Sequence, residues 1–319
     1  MPGKSSSTPF SWLQLEFPLG EHDAERVTAL LESLEALAVT LADAADDPIY
    51  EPPPGATPLW QATRVTALFD PRCDRTALVA ALDGALAGVP AHRFTTLEDR
   101  AWAREWLQHF QPMRFGPRLW VVPTAYAPPD AGAVNLVLDP GLAFGTGSHA
   151  TTALCLEWLD AEADRAAGGD PGAGGLAGRE LLDFGCGSGI LAIAAALLGA
   201  ERVVALDLDP QALDATRENA ARNGVAARLE VAGPTALAAL GGARRFDLMV
   251  ANILARPLCE LAPTLMAALR PGAAFCLSGI LADQADEVRA AYAPFATTAE
   301  PAPRDDWVRI DGVRCADRR

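Results

Sequence analysis

Asp183 opens the segment Asp183-Phe184-Gly185-Cys186-Gly187-Ser188-Gly189, and an apolar helical stretch over residues 190–198 follows at once. Glycines let a chain turn sharply and approach a ligand closely, and the start of a helix offers unpaired amides. The spacing is G-x-G-x-G, where a dinucleotide fingerprint has G-x-G-x-x-G. A carboxylate at Asp183 repels a pyrophosphate and suits a ligand carrying an ammonium and a sulfonium. Asp207 closes the next apolar run, Val203-Val204-Ala205-Leu206. About 20 positions past a glycine loop, an acid is placed to accept two hydrogen bonds from ribose hydroxyls. Asp209-Pro210 then starts a helix as N-cap and first-turn proline, and Asn223-Gly224 ends it with a left-handed cap, so Asp209 is read as structural and Asp207 as functional.

Asn252 follows the run Asp247-Leu248-Met249-Val250-Ala251. By itself an Asn there stabilises a loop through its own backbone. Beside the other two motifs, its amide is placed to hold the cationic ligand or to orient an incoming amine. Ahead of these lies Asp139-Pro140-Gly141-Leu142-Ala143-Phe144-Gly145-Thr146-Gly147-Ser148-His149, leading into a helix that contains Thr151 and Thr152. Three glycines around Phe144 make a flap able to close over a ligand and exclude water, with Phe144 walling the channel. His149 reads either as a general base or as a capping and packing residue at the helix start.

These residues need a sheet that brings strand ends together. Apolar runs over 181–184, 202–206, 228–231, 248–251 and 274–277 are separated mostly by helical stretches, which predicts a doubly wound parallel sheet covered on both faces. Residues 295–299 and 307–310 are assigned to remaining edge strands. Ligands in such sheets bind at the carboxyl ends of strands, near the point where strand order reverses. The first third reads β-α-β-β-α-β: strands over 11–17, 37–42, 62–69 and 91–95, helices over 23–36 and 75–86, a ferredoxin-like α+β module. A capping box at Thr96-Leu97-Glu98-Asp99 then begins a helix with Trp102, Trp106 and Phe110 on one face, read as a packing stripe. The Ala- and Gly-rich residues 161–178 read as a surface loop. The domain assignment is therefore 1–97, a connecting helix and linker over 98–130, and 131–319.

The 319 residues suffice for two such domains. No stretch approaches the roughly 20 apolar residues of a membrane span, and residues 1–9 lack the apolar run of a secretory signal. Six scattered cysteines, without a Cys-x-x-Cys pair or a His at ligand spacing, fit a reduced cytoplasm and no bound metal. A net charge of −15 disfavours free nucleic acid and favours a basic protein partner, unless the acidity serves only solubility. Without a self-association seam, the expected state is a monomer.

Taken together, these residues resemble the PrmA-type methyltransferases, which modify large-subunit ribosomal protein number eleven. The resemblance runs through Phe69-Asp70, Trp106, Met113-Arg114-Phe115-Gly116, Leu119-Trp120, residues 138–152, 183–194, 207–212, 219–225 and 250–255, and Ser278-Gly279-Ile280-Leu281. The glycine loop specifies only the superfamily; the run from Leu138 to Gly147 combined with Ala251-Asn252-Ile253-Leu254-Ala255 is far more specific. Ser148 and Ala150 depart from the Thr and Pro of many relatives. The resemblance implies a Rossmann-like catalytic domain using S-adenosyl-L-methionine and an N-terminal module that recognises the ribosomal protein. It also implies methyl transfer to lysine ε-amines and the N-terminal α-amine, with cofactor contacts at Thr152, Gly185, Asp207 and Asn252. Residue by residue, the pocket would hold Asp183, Gly185, Gly187, Gly189 and Asp207, with Asn252, Phe144 and His149 nearest the chemistry. Same-fold methyltransferases acting on amides or nucleobases commonly carry Asn-Pro-Pro-Tyr at the fourth strand; Asn252-Ile253-Leu254-Ala255 lacks the stacking aromatic. A nicotinamide-dependent dehydrogenase is disfavoured by Asp183 and the glycine spacing, and a non-catalytic donor-binding assembly factor is the remaining alternative.

Overall fold

The structure, a computed structural model, describes residues 11–45, 49, 58–86, 88, 91–98, 110–139, 145, 147–166, 168, 175–240 and 246–316. They fall in two compact units, Met1–Glu105 and Trp106–Arg319. The first holds β1 (Ser11–Pro18), α1 (Ala24–Ser33), β2 (Ala38–Asp43), β3 (Thr63–Phe69), α2 (Arg75–Leu86) and β4 (Arg93–Glu98). Its sheet runs β2-β3-β1-β4, antiparallel throughout, as a ferredoxin-like module requires. The alternation of β1 turns Leu13, Leu15 and Phe17 onto Val27 and Leu31 of α1 and Leu78 and Leu82 of α2. Asp23 caps α1 by accepting from Arg26 N at 2.8 Å.

One expectation for this unit is corrected. Thr96–Glu98 do not begin a helix but extend β4, with Thr96 opposite Leu13, Leu97 opposite Trp12 and Glu98 opposite Ser11. Cross-strand pairing with β1 outweighs a capping signal that is only local. Trp102 and Trp106 of the proposed aromatic stripe lie outside the described residues.

The second unit begins with a small sheet absent from the sequence reading, β5 (Met113–Phe115), β6 (Leu119–Val122) and β7 (Val134–Val137). Residues 113–122, expected in a linker, thus supply two strands. Phe115, Leu119, Val121 and Leu136 join the core beneath α3 (Ala150–Ala166) and α4 (Ile190–Leu197). Helix α3 also takes up residues 161–166 of the expected loop, because Ala-Glu-Ala-Asp-Arg-Ala favours helix and its Ala163 is buried.

The main sheet contains β8 (Glu180–Phe184), β9 (Arg202–Leu206), β10 (Leu229–Ala232), β11 (Phe246–Asn252), β12 (Leu269–Leu281), β13 (Ala296–Thr298) and β15 (Trp307–Arg314), with β14 (Ala302–Arg304) paired to β15. Its order is β10-β9-β8-β11-β12-β15-β13. The five strands from β10 to β12 are parallel, and β15 runs antiparallel to β12. Strand β15 is therefore interior rather than an edge, and the sheet is mixed. Its Val308 and Ile310 are buried, and it has neighbours on both sides, β12 and β13. Helices α3 and α4 cover one face; α6 (Thr235–Leu240), α7 (Ala255–Ala268) and α8 (Ala285–Tyr292) pack on the other. Strand order reverses between β8 and β11, so their carboxyl ends frame a crevice.

Candidate active site

The turn after β8 is a left-handed glycine loop, with φ of +81° at Gly185, +54° at Gly187 and +80° at Gly189. A Cβ on Gly185 would stand 2.2 Å from Ile253 Cγ2, and one on Gly189 would stand 2.8 Å from Thr216. No other residue type fits either place without displacing its neighbour. Gly185 N and Cys186 N donate to Leu206 O at 2.8 and 3.0 Å, stitching the loop to the end of β9. From there Asp207 Oδ2 accepts from Gly187 N at 2.8 Å, and its Oδ1 accepts from Asp209 N at 3.0 Å. The two motifs read separately in the sequence are thus one structure. Two backbone amides set the plane of the Asp207 carboxylate, and each oxygen keeps a lone pair for a ligand.

Asp183 is wholly buried behind this loop. Its Oδ2 accepts from Ala192 N at 2.9 Å, while Oδ1 has no partner among the described residues. Burial pushes its pKa up to about 7; the Ala192 N–H works against that shift and the negative charge of Asp207 adds to it. An orphaned carboxylate oxygen beside a second carboxylate is a site that a cation improves and an anion worsens.

Asn252 ends β11 on the neighbouring strand tip, and its Nδ2 donates to Thr152 Oγ1 at 3.4 Å. Thr152 lies in the first turn of α3 and is 0% exposed. Next to it, Thr151 Oγ1 meets His149 Nδ1 at 2.8 Å, and His149 Nδ1 also accepts from Thr151 N at 3.3 Å, as a capping side chain does. The His149 ring packs edge-on against Trp307 with centroids 5.1 Å apart. Burial lowers its pKa, with Asp305 opposing. Of the flap, Phe144 lies outside the described residues. Gly145 O accepts from Ser188 Oγ of the glycine loop, and Gly147 packs toward Met113 and Phe115, so these two glycines after Phe144 are held against the glycine loop and the small sheet.

Several contributors escaped the sequence reading. Thr216 Oγ1 donates to Gly187 O at 3.0 Å and Asn219 Nδ2 to Ser188 O at 2.9 Å, so α5 (Pro210–Arg222) holds the carbonyls of the glycine loop. Gly279 sits at φ +83°, where a Cβ would stand 2.4 Å from Ile253 O; with Gly185 it leaves room for the turn after Asn252. Leu208 is 85% exposed and Leu254 45% exposed, each two residues past the end of its strand. Leu208, Asn219, Leu254 and Gly279 carried a signal, lying inside the segments that bear the family resemblance, whereas Thr216 lies outside them.

A sheet of this order, with a glycine loop and an acidic strand tip joined at its switch point, defines a Rossmann-like methyltransferase. The family described as "Ribosomal protein L11 methyltransferase (PrmA)" matches residues 11–315, and the chain belongs to that family. A ribosomal protein L11 methyltransferase of Pseudomonas aeruginosa is 52% identical over 308 residues, spanning 96% of this chain and 99% of that protein. One from Methylococcus capsulatus is 51% identical over 306 residues, 95% of this chain and 99% of its own. The solved ribosomal protein L11 methylase of Lactobacillus delbrueckii subsp. bulgaricus is 31% identical with a TM-score of 0.53, covering 65% of this chain and 100% of that one.

Proposed function

We propose that this protein transfers methyl groups from S-adenosyl-L-methionine to amines of the large-subunit ribosomal protein L11, namely lysine ε-amines and the N-terminal α-amine. The observation that carries the reading is the junction of the Gly185–Gly189 turn with Asp207 at the sheet's switch point, next to Asn252. The near full-length likeness to proteins named for L11 supports the acceptor.

The residues fit the donor. Asp207 has acceptor capacity left for ribose hydroxyls, Gly185 and Gly187 allow close backbone approach, and buried Asp183 supplies negative charge near the loop. Leu208 offers an apolar surface beside Asp207. When bound, S-adenosyl-L-methionine supplies an electrophilic methyl group on a sulfonium.

The protein's own task is to present a neutral amine in line and to keep water away. With a lysine reference pKa near about 10.4, deprotonation at pH 7 costs about 4.6 kcal/mol. Desolvation in the crevice lowers that cost by destabilising the ammonium form, and the released proton passes to solvent without a dedicated base. His149 fits the capping role, since its Nδ1 is held at Thr151. Asn252 accepts an N–H of the amine and so aims its lone pair. The N-terminal unit recognises the ribosomal protein. Among the described residues no helix is long and apolar enough to cross a membrane.

The test incubates purified L11 with the protein and methyl-labelled donor and maps the label by mass spectrometry. Label on L11 amines is expected from wild type, with Asn252→Ala lowering kcat by about 100-fold. Label on another acceptor alone, or normal turnover by Asn252→Ala, would refute the acceptor or the role of Asn252 respectively.

A further inference from the structure

Ser188 stands between Gly187 and Gly189, inside the loop that the reading above gives to the donor. It is buried, and its backbone and side chain are tied in different directions. Its carbonyl accepts from Asn219 Nδ2 at 2.9 Å, which fixes the loop to α5. Its Oγ donates to Gly145 O, on a segment 43 residues earlier in the chain. A carbonyl has no hydrogen to give, so the direction of this bond is fixed and it needs a hydroxyl hydrogen on residue 188.

The segment that Ser188 meets is shaped to lie against it. Gly145 has φ +99°, and a Cβ there would stand 3.0 Å from Ser188 Oγ and 3.3 Å from Ile190 Cγ2. Gly147 has φ +88°, and a Cβ there would stand 3.6 Å from Ile190 Cδ1. Both glycines therefore rest on the start of α4, where the donor loop ends. Gly145 directly follows Phe144, the residue read from the sequence as walling the channel. Resting on that reading and on the proposed methyl transfer, we infer that Ser188 is a positioning residue whose hydroxyl seats the acceptor-side segment, at Gly145, on the loop that holds the donor. It acts through Gly145 and not on either reactant. Donor binding does not depend on this bond, because the Gly187 N–Asp207 and Asn219–Ser188 O contacts and the left-handed glycines of the loop remain without it. Helix α3, which the segment enters, is held by its own core residues Cys155, Leu156 and Leu159. What the hydroxyl governs is the placing of one side of the crevice against the other, and an error of about 1 Å there costs turnover rather than donor affinity.

Two hydroxyls bonded to carbonyls around this loop make the test. Ser188→Ala removes the one on Gly145 O, and Thr216→Val removes the one on Gly187 O while keeping the shape. Turnover on L11 is measured at saturating donor and acceptor, and donor affinity separately by calorimetry. For Ser188→Ala the expected result is a kcat about tenfold lower with donor Kd within about twofold of wild type. For Thr216→Val, which loosens the donor loop itself, donor Kd should rise about fivefold. The inference is overturned if Ser188→Ala turns over normally, if its loss lies in donor Kd, or if the two variants show the same division between kcat and donor Kd. Should Ser188→Ala fail to fold, Ser188→Cys, which keeps the shape with a weaker donor, carries the same comparison. Wild-type protein that labels no amine defeats the functional reading instead, so the two failures are distinguishable.

Discussion

Asp183 is held inside the protein with one carboxylate oxygen bonded to Ala192 N and the other without a partner among the described residues. Its pKa rises from 3.8 to about 7, so between those values the folded state keeps a proton that the unfolded chain has released. The group's contribution to stability therefore falls as pH rises through that window. Asp183→Asn keeps the shape and never ionises, so without ligand its melting temperature relative to wild type should climb between about pH 5 and about pH 8. A difference that stays constant across that range would contradict the assignment. The same ionisation favours a cationic ligand, so donor affinity of the wild type should improve over this range while that of Asp183→Asn does not. Cys186, in the loop itself, is a buried thiol with its pKa pushed up to about 12, mainly by desolvation, so it stays protonated and takes no part as a nucleophile.

Among elements, α5 does more than connect two strands. Asp209 caps its start by accepting from Gln211 N at 2.8 Å, and Thr216 and Asn219 reach from its side to the glycine loop. At its end Asn223 accepts from Val137 N at 2.7 Å and donates to Val137 O at 2.8 Å, standing in for a missing strand beside β7. One helix thus ties the ligand loop to the small sheet. Asn223→Ala would leave both backbone groups of Val137 without those partners, at a cost of about 2 kcal/mol in unfolding free energy, measured by urea denaturation. A loss below about 0.5 kcal/mol would show the pair to be incidental.

Across the whole molecule the dominant feature is its charge of −15. A field of that sign speeds the approach of a basic protein and is screened over roughly 10 Å at about 0.1 M salt. The KM for L11 should rise severalfold between about 50 and about 300 mM salt while kcat holds, since screening acts on encounter and not on the buried crevice. A flat KM over that range would assign the acidity to solubility alone.

The residues read from the sequence as chemically capable, Asp183, Gly185, Gly187, Gly189, Asp207 and Asn252, are carried by local patterns. Glycine spacing, an apolar run ending in an acid and a strand ending in Asn are each written within a few neighbouring positions, and backbone sterics enforce them. The order of the ferredoxin-like module was legible for the same reason, because alternation in β1 and β3 is a property of consecutive residues. What sequence could not show was long-range pairing: β4 drawn through Glu98 by β1, β5 and β6 built from short runs in an expected linker, and β15 inserted between β12 and β13. Those depend on partners far along the chain, whose contacts outweigh local preference once both strands are present. The tertiary structure alone brings Gly187 to Asp207 and Thr152 to Asn252, because hydrogen bonds between distant segments exist only after the sheet has aligned its strand ends.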